Sequence, residues 1–348
     1  MDKNQEILRE NIAILSKNIY GNWVQQVTYT FAELNIADAL LVRDYTCLDL
    51  SKTLNLNSQY LGRFLRCATE LSYVEFNQEI QKYRLTELGK LLSDDHPFSK
   101  KSETRLNGSP YRYEPWGNLD RIIKNGHSEK YSPTLKDGTL SFLEDKPSLL
   151  DTFHDAMLKI WKVENKDLVK EFDFSQFHTV MDIGCGTGSF LEAILESNEK
   201  THGVMFDLKG TFDENVSINK GQKTQKMCGD FFIEIPDIAD LYTMKNVIHN
   251  WPEKKVKILL QNVRKAMVSQ NGSNIPIEDK RLLIIENVLP EDGSDHKANW
   301  MNLNFMILTD GAERTEKEYK TLGKECGLNL THVYHTNVNR DILEFSIL

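Results

Sequence analysis

From the start of the chain to about residue 42, apolar residues recur at mixed three- and four-residue spacing, with Trp23, Val24, Val27, Phe31, Leu34, Ile36 and Leu40 carrying the pattern. That period predicts helix over 5–42. The apolar positions fall on more than one face, so the segment needs more than one packing partner. Thr46 and Asn57 then stand where helix caps belong, ahead of helices over 47–54 and 58–71. SYVEF and KYRLT alternate as strands around the turn NQEIQ, and Thr86 is placed to cap a further helix over ELGKLLS. Two helices followed by a β-wing form the winged-helix pattern. Residues 101–170 read as mostly helical. From about 175 the rhythm changes to five strand candidates, HTVMDIG, HGVMFDL, KTQKMCGD, IADLYTM and RLLIIENV, with helical stretches SFLEAILESN and EKKVKILLQNVRKAMV among them. Such alternation predicts βαβ units and a mainly parallel α/β sheet. The polar stretch SQNGSNIPIEDK reads as a surface loop.

Composition narrows the class. With 348 residues, 40% hydrophobic and 27% charged, the chain is globular and long enough for about two domains. No apolar run reaches the length of a membrane span, and the polar start MDKNQEILRE does not resemble a signal peptide, so a cytoplasmic protein with no membrane partner is expected. Residues 1–100 hold 11 Lys+Arg against 13 Asp+Glu. A DNA reader needs a basic face for phosphates. The winged helix is therefore read as a protein–protein module, with no nucleic-acid partner. Five cysteines, none in a C-x-x-C pair, imply free and mostly buried thiols rather than zinc ligands or disulfides.

The most informative stretch is VMDIGCGTGSF. A hydrophobic strand ends near Asp182, and Gly184, Gly186 and Gly188 follow before a helix opens. Glycines there permit a tight turn and a close approach of backbone N–H groups to a ligand. Asp207 ends the next strand, 21 residues beyond Gly186, where a carboxylate accepts from both ribose hydroxyls. The third glycine of the dinucleotide fingerprint is missing, and Asp182 suits an ammonium better than a phosphate. Both details favour S-adenosylmethionine over a nicotinamide dinucleotide. A ligand-free tight turn is the simpler alternative. Asp230, after the third strand, is placed to accept from an adenine amino group, with Phe231 beside the ring.

In these blocks, and in GNWVQQVTYTFAELNIADALL, YEPWGNL, GDFFIEIPDIADLYTMKNVIHNWPEKKV, IIENVLP and LNFMILTDGAERTEKEY, the sequence resembles the S-adenosylmethionine-dependent small-molecule O-methyltransferases of plant phenolic and bacterial natural-product pathways. The resemblance covers nearly the whole chain. It implies a winged-helix dimerisation domain (1–100), a helical connector contributing to the substrate pocket (101–170) and a Rossmann-like methyltransferase domain (171–348) whose seven-stranded sheet has its last strand antiparallel. LTHVYHT and DILEFSI supply the final strands. The resemblance further implies His249 as general base, with Glu286 and Glu313 flanking it. It places Asp182, Gly184, Gly186, Gly188, Asp207, Leu208, Gly229, Asp230, Phe231 and Lys245 around the cofactor, and Trp116, Met157, Trp161, Asn304 and Met306 along the acceptor pocket. Read alone, His249 fits a surface or helix-capping role better than catalysis, and the Met and Trp positions fit core as well as pocket. One departure is visible: Asn250 stands where the family has Asp.

The implied chemistry is removal of a hydroxyl proton by a neutral imidazole. An unperturbed His has a pKa of about 6.5 and is mostly neutral at pH 7. A carboxylate on the other ring nitrogen would orient it and stabilise the imidazolium. No metal is implied, since no acidic cluster is spaced to hold a hard cation beside a diol. The expected partners are a small hydroxylated aromatic and a second copy of the chain, with residues 5–30 approaching the partner's substrate pocket. The remaining alternatives are N- or C-methylation, non-methylating chemistry on the same cofactor, and a winged-helix ligand-sensing regulator.

Overall fold

The computed structural model describes residues 3–126, 147–209, 224–269, 275–294, 296–338 and 340–348. Residues 270–274 of the expected surface loop lie outside them. The chain divides into two compact units, Met1–Glu114 with Ser148–Lys159, and Pro115–Pro147 with Ile160–Leu348.

The first unit opens with helices α1 (Lys3–Ile19), α2 (Gly21–Glu33) and α3 (Ile36–Val42). The single helix expected over 5–42 is thus three. The chain breaks at Tyr20, and again at Leu34–Asn35, where Asn35 takes a left-handed backbone at φ 56°. Asn tolerates that conformation because its short side chain bonds locally. Helices α4 (Cys47–Thr53) and α5 (Ser58–Glu70) follow. Their caps are those expected: the Thr46 hydroxyl accepts from the Asp49 amide, and Asn57 accepts from the amides of Gln59 and Tyr60. Strands β1 (Val74–Asn77) and β2 (Lys82–Leu85) pair antiparallel, and Thr86 caps α6 (Glu87–Lys90). Phe31, Ile36, Leu40, Leu50, Leu61, Leu65 and Val74 form one buried core. Phe31, Ile36 and Leu40 are thus absorbed within this unit, whereas Leu41 and Val42 stay exposed and α1 buries none of its own residues. Its Leu8, Ile12, Ile14 and Leu15, and Trp23 on α2, are exposed.

Helices α7 (Lys101–Gly108), α8 (Pro110–Trp116) and α9 (Leu119–Asn125) precede the long α10 (Pro147–Leu168). The second unit then builds its sheet from β3 (Thr179–Ile183), β4 (His202–Asp207), β5 (Thr224–Cys228), β6 (Leu241–Lys245), β7 (Arg281–Glu286), β10 (Leu328–Tyr334) and β11 (Asp341–Ile347). Its strand order is β10-β11-β7-β6-β3-β4-β5. Strands β3 to β7 are parallel, and only β11 runs against them. Successive residues of β3, β4, β6, β7 and β11 enter two different cores, Met181 and Ile183 of β3 on one face and Val180 on the other, whereas the edge strand β5 is largely exposed. Burial on both faces explains why these strands read as continuous apolar runs. Helices α11 (Ser189–Ser197), α12 (Glu253–Val268), α13 (His296–Thr309) and α14 (Glu316–Glu325), with the short parallel pair β8 (Val288–Leu289) and β9 (Arg314–Thr315), complete the unit.

All five cysteines are free, as expected, but they are not mostly buried. Cys326 is buried, Cys47 and Cys185 are half-buried, and Cys67 and Cys228 are exposed. Cys67 and Cys228 sit on the outer face of a helix and at the end of a sheet-edge strand, positions that apolar composition alone does not distinguish from core.

Candidate active site

Parallel strands bring their carboxyl ends to one side of the sheet, which is where open α/β sheets bind ligands. Asp182 and Asp207 lie at those ends of the adjacent strands β3 and β4, and Asp230 follows the end of β5, the next strand. Gly184, Gly186 and Gly188 all have positive φ, at 68°, 54° and 77°. The turn is tied to its neighbour strand: the Gly184 amide donates to the Phe206 carbonyl at 2.8 Å, and the Gly186 amide to Oδ2 of Asp207 at 2.8 Å. Oδ1 of Asp207 accepts from the Leu208 amide. A Cβ at Gly186 would stand in open space, whereas one at Gly184 would lie 2.9 Å from Cγ2 of Val247, and one at Gly229 2.6 Å from the Phe206 ring. The glycine turn is therefore open at its centre and closed against the β6 turn at its start. Asp230 accepts from the Phe232 amide, and Phe231 meets Trp251 edge-to-face at 6.0 Å.

Asp182 is buried, and the Thr243 hydroxyl donates to it at 2.7 Å. Burial pushes its carboxyl up to about 7, against the pull of that hydrogen bond and of Lys245. Burial likewise lowers Lys245 to about 8, with Glu164 opposing. Nζ of Lys245 lies 3.6 Å from Oε1 of Glu164 and 4.1 Å from the Trp161 ring centroid. Two buried oxygens here, Oε1 of Glu164 and Oδ1 of Asn165, have no hydrogen-bond partner, and Asn165 donates through Nδ2 to the Ser189 hydroxyl. An open glycine turn, a carboxylate at the end of β4 and the buried Asn165 oxygen without a hydrogen-bond partner fit a ligand carrying a ribose and an ammonium.

Beyond β6, Asn246 turns left-handed at φ 58° and the chain closes a short 3₁₀ turn over Ile248–Asn250. That turn buries His249. Its Nδ1 lies 2.6 Å from Oε2 of Glu286 and 3.5 Å from Oε1 of Glu313, and both carboxylates are fully buried. The ring N–H is not aligned on either oxygen, so the 2.6 Å contact is an ion pair more than a straight hydrogen bond. Two ligands of one ion at about 2.1 Å stand more than about 3 Å apart, and the 2.6 Å His249–Glu286 contact is shorter than that. Glu286 is anchored by the amides of Ile248 and His249. Burial opposes charge on His249, but Glu286 and then Glu313 outweigh it and raise the ring to about 9. Burial alone would raise the Glu286 carboxyl too. The charged His249, with Arg340 behind it, instead holds it below its usual value. The expectation of an ordinary, mostly neutral imidazole at pH 7 is therefore corrected, because two carboxylates rather than one face the same nitrogen.

Several positions here escaped sequence reasoning. Phe305 on α13 stacks on His249, with ring centroids 3.9 Å apart. A Cβ at Gly311 would fall 1.9 Å from the His249 carbonyl oxygen, so only glycine lets that loop meet the His249 turn. Asn250 donates through Nδ2 to the Asn246 carbonyl at 2.9 Å and closes the turn, a bond an ionised Asp would not make. Neither ring stacking nor backbone clearance leaves a periodic signal in sequence. Of the pocket positions, Trp116 donates to Oδ1 of Asn304 at 3.1 Å, and Met306 packs by Ile122 and Leu308. Trp161 lies instead beside Lys245, and Met157 belongs to the first unit.

The model of the O-methyltransferase domain family matches residues 116–329, more than half the chain. The chain belongs to that family. This methyltransferase is 28% identical over 336 residues to a phenazine O-methyltransferase of Lysobacter antibioticus, covering 95% of each chain. The crystal structure of LaPhzM superposes with a TM-score of 0.85 at 28% identity, over 97% of this chain and 99% of that one. Human N-acetylserotonin methyltransferase, solved with S-adenosylmethionine, superposes at 0.81 over 97% of each chain; at 22% identity that likeness concerns the fold. The protein is an S-adenosylmethionine-dependent O-methyltransferase.

Proposed function

We propose that the enzyme methylates a hydroxyl of a small aromatic natural product, with His249 as general base. The observation that carries this is the buried His249–Glu286–Glu313 constellation, one turn beyond Val247, the residue against which the glycine turn closes. S-adenosylmethionine, when bound, supplies a methyl group on a sulfonium. Asp207 holds the ribose hydroxyls, Asp230 and Phe231 the adenine, and Glu164 with Asn165 takes up positive charge near the glycine turn. Gly184, Gly186, Gly188, Leu208, Gly229, Asp182 and Lys245 complete that surface.

His249 accepts the hydroxyl proton through Nε2 while Glu286 and Glu313 face Nδ1 and hold the imidazolium that forms. The raised ring is a stronger base than free imidazole: against a phenol of pKa about 10 the transfer is uphill by only about one unit, or about 1.4 kcal/mol. Its neutral form is correspondingly scarce at pH 7. Trp116, Asn304, Met306 and Trp161 line the acceptor side in this proposal. The phenazine relative, whose name gives an aromatic acceptor, supports the substrate class.

Residues 1–100 act, in the same proposal, as the dimerisation module, 101–170 as connector and 171–348 as the transfer module. Exposed apolar residues along α1 support a homodimer, because contiguous apolar faces of this kind mark interaction surfaces. The direct experiment incubates the enzyme with S-adenosylmethionine and a panel of aromatic hydroxyl and aromatic amine compounds. Mass gain of one methyl on hydroxyls, with the amines unchanged, is expected; methylation confined to amines would overturn the reading.

A further inference from the structure

Glu286 and Glu313 face the same nitrogen of His249, yet they are held differently. Main-chain amides anchor Glu286. Glu313 has a side-chain anchor: Asn287, the residue after β7, donates through Nδ2 to Oε1 of Glu313 at 3.1 Å. That same oxygen is the one 3.5 Å from Nδ1 of His249. The other oxygen of Glu313 is buried without a partner.

Asn287 is itself fixed. Arg340, buried just before β11, donates through Nη1 to Oδ1 of Asn287 at 2.6 Å and through Nε to Oδ1 of Asn246 at 2.6 Å. Both amides thus present oxygen to the guanidinium, which leaves the Asn287 nitrogen only the side toward Glu313. The Arg340 carbon lies 4.7 Å over the Trp161 ring. A single cation therefore joins the turn that carries His249, through Asn246, to the carboxylate that faces it, through Asn287. Its planar fork suits this double contact better than an ammonium would.

We propose that Arg340 and Asn287 form a positioning arm that holds the Glu313 carboxylate against His249. This rests on His249, Glu286 and Glu313 as the reacting set, but the geometry of the arm does not depend on whether His249 is the base. Without the Asn287 donor, Glu313 is free to turn from His249, and the ring loses one of its two carboxylate neighbours. The other charged and titratable groups around the set are Tyr319 on α14, which faces both carboxylates, Arg314 of β9 beside Tyr319, and Arg340 itself, whose charge acts on Glu286. Neither Tyr319 nor Arg314 contacts Asn287 in the described hydrogen bonds.

The test is NMR titration of His249 in the full-length protein labelled with ¹³C-histidine, the resonance being assigned by its loss in His249→Gln. In wild type the ring titrates well above an ordinary histidine. In Asn287→Ala its titration midpoint should drop by about one pH unit, and Arg340→Lys, which keeps the charge but loses the fork, should lower it less. In a Glu313→Gln background, Asn287→Ala should change nothing further. Asn287→Ser, too short to reach Glu313, is the second variant if Asn287→Ala does not fold, with circular dichroism checking the fold of each. An unmoved midpoint in Asn287→Ala or Asn287→Ser, or an equal drop with and without Glu313, would overturn the arm. Failure of the general-base reading would show separately, as unimpaired turnover by His249→Ala with this titration behaviour intact.

Discussion

At the scale of single residues, the site sets one buried imidazole against two buried carboxylates. Because only the neutral ring takes a proton, and Glu286 and Glu313 raise that ring to about 9, activity is lost as pH falls below that value. With an acceptor that does not ionise in the range, kcat/KM should climb about tenfold per pH unit through neutrality and level only near pH 9; a plateau from about pH 6.5 would show an unperturbed histidine. Asp207 offers a second test. Its two oxygens already hold the Gly186 and Leu208 amides, so removing the side chain frees the turn as well as any ribose contact. Asp207→Asn keeps an acceptor for the turn, and calorimetry should show S-adenosylmethionine binding weakened by more than about 1.5 kcal/mol, on the scale of a charge-assisted hydrogen bond. Unchanged affinity would remove Asp207 from the ribose. The acidic strand ends were legible in sequence because they recur at fixed places after apolar runs. Phe305, Asn287 and Arg340 were not, because ring stacking and amide–guanidinium contacts place them, and neither leaves a periodic signal in sequence.

At the scale of elements, periodicity located the parallel strands and the caps at Thr46, Asn57 and Thr86, since those signals are local. It missed the breaks at Tyr20 and Asn35, because apolar residues continue through both and only the backbone turns. Gly311 shows the same limit: its value is clearance for the His249 turn, and nothing near it in sequence announces that contact. Gly311→Ala should displace the turn, costing roughly 1–3 kcal/mol of stability by overpacking. Its kcat should fall while S-adenosylmethionine affinity holds, as read by thermal melting, turnover and calorimetry together. An unaltered melting temperature and kcat would mean that the loop yields instead.

At the scale of the whole molecule, the apolar residues of α1 are exposed within their own chain, whereas Phe31, Ile36 and Leu40 of α2 and α3 are enclosed. The sequence suggested a second copy from the apolar excess of 20–42; Tyr20, Trp23, Val24, Leu41 and Val42 are exposed there, and exposed apolar residues continue along α1. Deleting residues 1–20 should shift light scattering from dimer to monomer and lower activity. A stable, fully active monomer after that deletion would contradict the dimer. No helix among the described residues is long and apolar enough to cross a membrane.

The central claim is proton removal by His249 from a hydroxyl, and the most direct measurement is kcat for wild type and His249→Ala over a series of phenols of decreasing pKa at fixed pH. General-base catalysis predicts a loss of roughly 10²–10⁴ on the least acidic phenol. The loss should shrink steadily as the acceptor becomes able to ionise without help. An equal loss across the series, or none anywhere in it, would contradict the mechanism.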